Sequence, residues 1–234
     1  MNPAIVIPVY NHPQVAKVIE ASGVLALPII VVDDGSTDAT SEILAGIPEI
    51  TVVRNRRNQG KGAALLTGFT AAMALGCDAV LSIDADGQHN PIDGQTLVDA
   101  VADGRRALVV GARRWGMDGR HVPWTSRAGR KFSNFWVWAC GGPKVSDSQS
   151  GFRLYPLPEC LNLDVCARRY QFEVEILVLA RRRGLVVLEA PVSVVYQAKG
   201  QRVSHFRPWR DFWRNSQTFS RLLFSRLARR IKAF

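Results

Sequence analysis

The chain has 234 residues, 47% of them hydrophobic, and a net charge of +10. That content can fill one complete core, and no run of about 20 apolar residues is present to span a bilayer. Four cysteines without C-x-x-C spacing (Cys77, Cys140, Cys160, Cys166) argue for free thiols in a reducing cytosol, and Met1 to Val9 lacks the basic leader of a secretory signal.

The first half alternates short apolar runs with helical segments. Ala4 to Pro8, Ile29 to Asp33, Ile50 to Arg54, Ala79 to Asp84 and Ala107 to Gly111 read as strands. They are continuously apolar, as strands covered on both faces must be. Pro13 to Ala21, Asp38 to Leu44, Gly62 to Leu75 and Asp93 to Ala102 read as helices between them, with Ser36 and Thr37 suited to a helix start. The alternation predicts an α/β fold with a doubly wound, mostly parallel sheet and helices on both faces. The second half is less regular. Ser126 to Cys140 suits an aromatic-rich helix, Gln171 to Arg183 another, and Leu185 to Val195 one or two strands broken at Pro191. The predicted division is a catalytic domain over 1–206 and a basic C-terminal helix over 207–234.

In such sheets ligands bind at the carboxyl ends of the strands. Here those ends read Pro8-Val9-Tyr10-Asn11, Asp33-Asp34-Gly35-Ser36, Asn58-Gln59-Gly60-Lys61-Gly62 and Asp84-Ala85-Asp86-Gly87-Gln88-His89. Two carboxylates one residue apart at a strand end repel unless a cation lies between them. A hard divalent ion with positions left for phosphate oxygens is the natural occupant, although a simple turn uses the same residues. Asp33 and Asp34 offer acceptors to a ribose or a base, or form an Asx-turn. Gly60-Lys61-Gly62 reads as a phosphate loop or as a plain helix start.

Together these clusters, with Asp147-Ser148-Gln149-Ser150-Gly151-Phe152-Arg153 and Val203-Ser204-His205-Phe206, resemble the family-2 glycosyltransferases of GT-A fold over Ala4 to Arg210. Within that family the chain is similar to polyprenyl-phosphate (dolichol-phosphate type) mannosyl- and glucosyltransferases, with His12 and His205 where relatives often carry Glu and Lys. The resemblance implies a nucleoside-diphosphate sugar (UDP- or GDP-linked) as donor. Pro8, Tyr10, Asn11, Asp33 and Asp34 would hold its nucleoside. Lys61, Asp84, Ala85, Asp86 and Gln88 would hold the diphosphate, with Asp84, Asp86 and Gln88 on Mg2+ or Mn2+. Arg202 and Ser204 would close over it. Arg113, Arg127 and Arg153 would meet the phosphate of a lipid-linked acceptor. The reaction would be a single inverting displacement in which Asp86 serves the leaving group and Asp147 is the candidate base or orienting residue. Glu173 is expected to pair with an arginine from the Arg105 to Lys131 cluster.

Charge is uneven: Arg202 to Phe234 holds nine Lys/Arg and one acid, a net +8. At 100° per residue, Phe212, Trp213, Phe219, Leu223, Leu227, Ile231 and Phe234 share one face of a helix. Arg210, Arg214, Arg221, Arg229 and Lys232 lie roughly opposite, while Arg226 and Arg230 intrude on the apolar arc. An interfacial helix on an anionic membrane is favoured over one docked on protein, which implies a peripheral enzyme at the cytoplasmic face of the cell membrane. A nucleotidyltransferase or transfer to a hydroxyl are the alternative chemistries. A nucleic-acid partner is not expected, because no recognised binding motif accompanies the basic tail.

Overall fold

The computed structural model describes residues 1–113, 124–193 and 208–231, with side chains of 124–127, 208–212 and 229–231 outside that description. The elements run β1 (Pro3–Val9), α1 (Val15–Ser22), β2 (Ile29–Asp33), α2 (Thr40–Ala45), β3 (Thr51–Arg54), α3 (Lys61–Ala74), β4 (Ala79–Ser82) and α4 (Gly94–Asp99). They continue with β5 (Ala107–Arg113), α5 (Trp124–Ala139), β6 (Arg153–Pro156), α6 (Phe172–Arg182), β7 (Val186–Val192) and α7 (Pro208–Ile231).

Among the described residues the strands form one sheet in the order β3-β2-β1-β4-β6-β5-β7. β6 pairs antiparallel with both β4 and β5, whereas every other pairing is parallel. The period of two in each strand splits the core. Val6, Ile30, Val32, Val80, Leu108 and Val110 face one layer, where Phe69 of α3 packs on Tyr155 and Phe172. Ile5, Ile7, Val31, Leu81, Val109 and Leu154 face the other, with Val15, Ile19 and Leu97. From β1 the chain builds β2 and β3 on one side, then returns to place β4 on the other. The carboxyl ends of β1 and β4 therefore flank a topological switch point, where a crevice opens in sheets of this kind.

Three elements depart from expectation. β6 is absent from the strands expected above, because Arg153 interrupts its apolar run. β7 passes unbroken through Pro191, which an outer strand of the sheet tolerates. The helix predicted over Asp93 to Ala102 begins instead as a 3-10 turn at Pro91–Asp93 and continues as the short α4.

The C-terminal helix docks on the protein. Thr218, Phe219 and Leu222 are buried, and Phe219 stacks on Trp136 of α5. Arg182 donates to the Leu222 carbonyl and the Ser225 hydroxyl. Arg221 pairs with Glu175 at 2.7 Å, and Arg226 donates to the Ala139 carbonyl. The intrusion of Arg226 into the apolar arc thus has a cause: it lies on the docked face. Trp213, Phe224 and Leu227 remain exposed, so the apolar face predicted as one surface is divided between protein and solvent.

Candidate active site

Two polar groups assemble on either side of the switch point. The first joins β1 to β2. Asn11, with φ of 49°, donates its N–H to the Ser36 hydroxyl at 3.0 Å and accepts from the Thr37 N–H at 2.8 Å. Ser36 and Thr37 are therefore ties to the β1 end rather than caps for α2. Asp33 is buried and accepts from the Ser36 N–H and the Ser41 hydroxyl. Burial would raise its pKa, but these hydrogen bonds and Arg54 hold it below the ordinary carboxylate value.

Asp34 ties the end of β2 to the loop ahead of α3. It accepts from the Asn55 amide at 2.7 Å, from the Gln59 N–H at 3.1 Å to each oxygen, and from the Gly60 N–H at 2.7 Å. Three donors thus share the two oxygens of one carboxylate, the Gln59 N–H bridging both. The Gln59 and Gly60 N–H groups ahead of α3 are thereby turned onto an aspartate of this chain. The glycines serve close packing: a Cβ on Gly62 would stand 2.6 Å from the Phe172 Cβ, and one on Gly60 would overlap Arg169.

The second group lies beyond β4. Asp84 and Asp86 follow the strand, which ends two residues earlier than expected, at Ser82. β6 runs beside it, and the Ser82 hydroxyl donates to the Gly151 carbonyl at 2.6 Å. Gly151 is required by close approach, since a Cβ there would overlap Asp84 Oδ2 and Lys61 Nζ. Lys61 opens α3 and reaches Asp84 at 2.6 Å and Glu173 of α6 at 2.5 Å. Glu173 thus pairs with Lys61, 112 positions away, and not with an arginine of the Arg105 to Lys131 cluster. Burial would lower the Lys61 pKa, but the two carboxylates raise it well above its usual value. Burial would likewise raise Asp84, yet Lys61, His89 and Arg113 bring it below its ordinary value. Asp86 goes the other way: burial and the neighbouring Asp84 charge push it up. Gln88 braces it, donating through its backbone N–H at 3.1 Å and its amide at 2.8 Å.

This asymmetry bears on a metal ion. Asp84 is held ionised, and Asp86 is a carboxylate whose charge is unfavourable where it stands, so a divalent ion there fits the pair. No group of three or more His, Cys, Asp or Glu able to hold a metal occurs among the described residues. Two carboxylates would leave the remaining positions to diphosphate oxygens and water, as suits Mg2+ or Mn2+. His89 ends the motif, and the resemblance implies no role for it. It is buried, with its ring 5.1 Å from Phe152 and its Nδ1 unpartnered, and burial lowers its pKa against the pull of Asp84 and Asp86.

Two of the arginines expected at an acceptor phosphate are tied within the chain. Arg113, at the end of β5, grips Asp147 through two hydrogen bonds of 2.5 and 2.8 Å, and Arg130 lies 3.7 Å away. Asp147 is fully buried and orients the Arg113 guanidinium. Arg153 is also fully buried. Its three nitrogens donate to the carbonyls of Ser150, Glu173 and Ser148 at 2.7, 2.7 and 2.8 Å. It fastens β6 to α6. Pro8, Tyr10 and Ala85 stand at the β1 and β4 ends as expected. The side chain of Arg127, and all of Arg202, Ser204 and His205, lie outside the described residues.

A mixed sheet of this order, with paired carboxylates at the switch point, defines a GT-A-like α/β protein. A structure of S. aureus TarS 1–349 in complex with UDP-GlcNAc shares the fold at a TM-score of 0.59 and 16% identity, over 95% of this chain and 66% of that one. The chain belongs to glycosyl transferase family 2, whose family model matches residues 4–157. It is 30% identical over 213 residues to a UDP-N-acetylglucosamine–dolichyl-phosphate N-acetylglucosaminyltransferase of Methanococcus voltae, covering 82% of this chain and 85% of that protein. It is also 30% identical over 208 residues to a polyprenol monophosphomannose synthase of Mycolicibacterium smegmatis, covering 84% and 78% respectively.

Proposed function

We propose that the chain moves a sugar from a nucleoside-diphosphate sugar to polyprenyl phosphate in one inverting displacement, with Mg2+ or Mn2+ bound at Asp84 and Asp86. The observation that carries this reading is the carboxylate pair at the switch point, with Asp84 held ionised by Lys61. Cleavage of the anomeric bond builds negative charge on the departing nucleoside diphosphate, and a bound divalent ion supplies the compensating charge. Asp84 and Asp86 would fix that ion, and Gln88 would hold the Asp86 rotamer. Burial of Asp147 against Arg113 favours a phosphate acceptor over a hydroxyl. An anionic phosphate needs no general base, and a guanidinium presented by Asp147 suits it. Both relatives described above carry a polyprenyl or dolichyl acceptor in their names. A panel of UDP- and GDP-sugars, scored for transfer to a short polyprenyl phosphate with and without Mn2+, tests the reading. Transfer with one donor in Mn2+, and none after EDTA, is expected; undiminished turnover in EDTA would remove the metal from the reaction.

Such an acceptor lies in a membrane. No helix among the described residues is long and apolar enough to cross one. A peripheral contact is supported by exposed Phe135 and Trp138 on α5 and by Trp213, Phe224 and Leu227 on α7. These two helices hold nine Lys/Arg against one acid, a net +8 suited to anionic lipid. The double variant Trp213→Ser/Phe224→Ser is expected to bind phosphatidylglycerol vesicles at least about tenfold more weakly, since each buried aromatic contributes roughly 1.5–3 kcal/mol. Co-sedimentation equal to wild type would show that α7 is not part of the contact.

A further inference from the structure

Glu173 is not used in the reaction outlined above, and its contact with Lys61 gives it a separate task. Lys61 Nζ stands between two carboxylates, 2.6 Å from Asp84 and 2.5 Å from Glu173. All three side chains are largely buried, at 15%, 25% and 8% exposure for Lys61, Asp84 and Glu173. The arrangement is fixed from three directions. The Asp34 carboxylate and the contact of Gly62 with Phe172 set the start of α3 against α6. Gly151 closes over the Lys61–Asp84 contact from the β6 side. The Glu173 carbonyl is held by Arg153.

We propose that Lys61 is an internal counter-cation for Asp84, and that Glu173 is the positioning residue which shares that cation and so sets how tightly Asp84 takes a divalent ion. The proposal rests on the metal-assisted reading. An ammonium on Asp84 keeps the carboxylate ionised and in one rotamer, but it competes with any ion approaching the same group. Glu173 draws part of the Lys61 charge away from Asp84. Without Glu173 the ammonium serves Asp84 alone and the ion is disfavoured. Without Lys61 the Asp84 and Glu173 carboxylates lose the cation between them and attract an ion more strongly. The two substitutions therefore act in opposite directions on metal affinity, a pattern that a purely structural ion pair does not give.

The test is Mn2+ binding to the full chain without nucleotide, followed by the loss of the free-ion EPR signal, with thermal melts to confirm folding. One unit charge a few ångströms from the ion at an effective dielectric near 20 corresponds to roughly tenfold in affinity after screening. Lys61→Met is expected to bind Mn2+ about tenfold more tightly than wild type, Glu173→Gln about tenfold more weakly, and Lys61→Arg as wild type. Should Lys61→Met fail to fold, the isosteric Glu173→Gln decides alone. Wild-type Mn2+ binding with Glu173→Gln unchanged or tighter overturns the proposal and leaves the metal reading standing. No Mn2+ binding by wild type, even with UDP or GDP added, overturns both.

Discussion

Asp86→Asn is expected to lower the rate of sugar transfer by about 10³-fold at saturating Mn2+, while the melting temperature stays level or rises slightly. The first effect follows from the reaction. Loss of one of two carboxylates weakens the hold on the divalent ion, and fixed charge at a leaving group typically contributes about 3–4 kcal/mol. The second follows from the environment of Asp86. Burial and the nearby Asp84 raise its pKa in the folded protein. The folded state thus favours the protonated carboxyl, a contribution present at low pH and lost as pH rises through the folded pKa. Near neutral pH the ionised side chain is a cost to folding, and a neutral amide of the same shape removes it. The Gln88 N–H keeps an acceptor in the carbonyl oxygen of the introduced amide, and the Gln88 side-chain amide, turned over, accepts from its NH2, so the loop is retained. Loss of activity with a level or higher melting temperature separates this role from a structural one. Full activity in the variant would dismiss the carboxylate pair as the centre of the site.

Much of the fold was legible because the physics behind it is local. Continuous apolar runs such as Ile29 to Asp33 mark strands covered on both faces, and the polar residues that follow mark the edge where ligands bind. What escaped depends on partners distant in sequence. β6 was hidden by Arg153, an apparent surface residue whose carbonyl partners, Ser148, Ser150 and Glu173, no periodicity reveals. The Gly60-Lys61-Gly62 segment resembled a phosphate loop because glycines before a helix serve that purpose and close helix packing equally well. The sequence leaves Asp34 between a nucleoside contact and a turn, because the Gln59 and Gly60 N–H groups that reach it lie on another loop. On α7 the wheel identified an apolar face, but the docked stripe of Thr218, Phe219 and Leu222 lies beside, not along, exposed Trp213 and Phe224.

Arg153→Met is expected to destabilise the protein by about 3–5 kcal/mol, because three buried carbonyls lose their donors together. Methionine fills part of the volume, but it donates nothing to three buried carbonyls. Each unpartnered polar group costs about 1–3 kcal/mol, offset in part by the apolar side chain. Against a total of about 5–15 kcal/mol for a domain, this is a large fraction. Lysine at the same position should not rescue, because a single ammonium lacks the planar fork that reaches Ser148, Ser150 and Glu173 together. Urea unfolding provides the measurement, with a lower midpoint and an unchanged slope expected for both variants. The competing role makes the opposite prediction. If Arg153 met the acceptor phosphate directly, the methionine variant would unfold at the wild-type midpoint and show its defect as a raised KM for polyprenyl phosphate. Because the same guanidinium anchors the carbonyl of Glu173, partial loss of folding in the variant should loosen the Lys61–Glu173 pair before the distant edge at β3 responds.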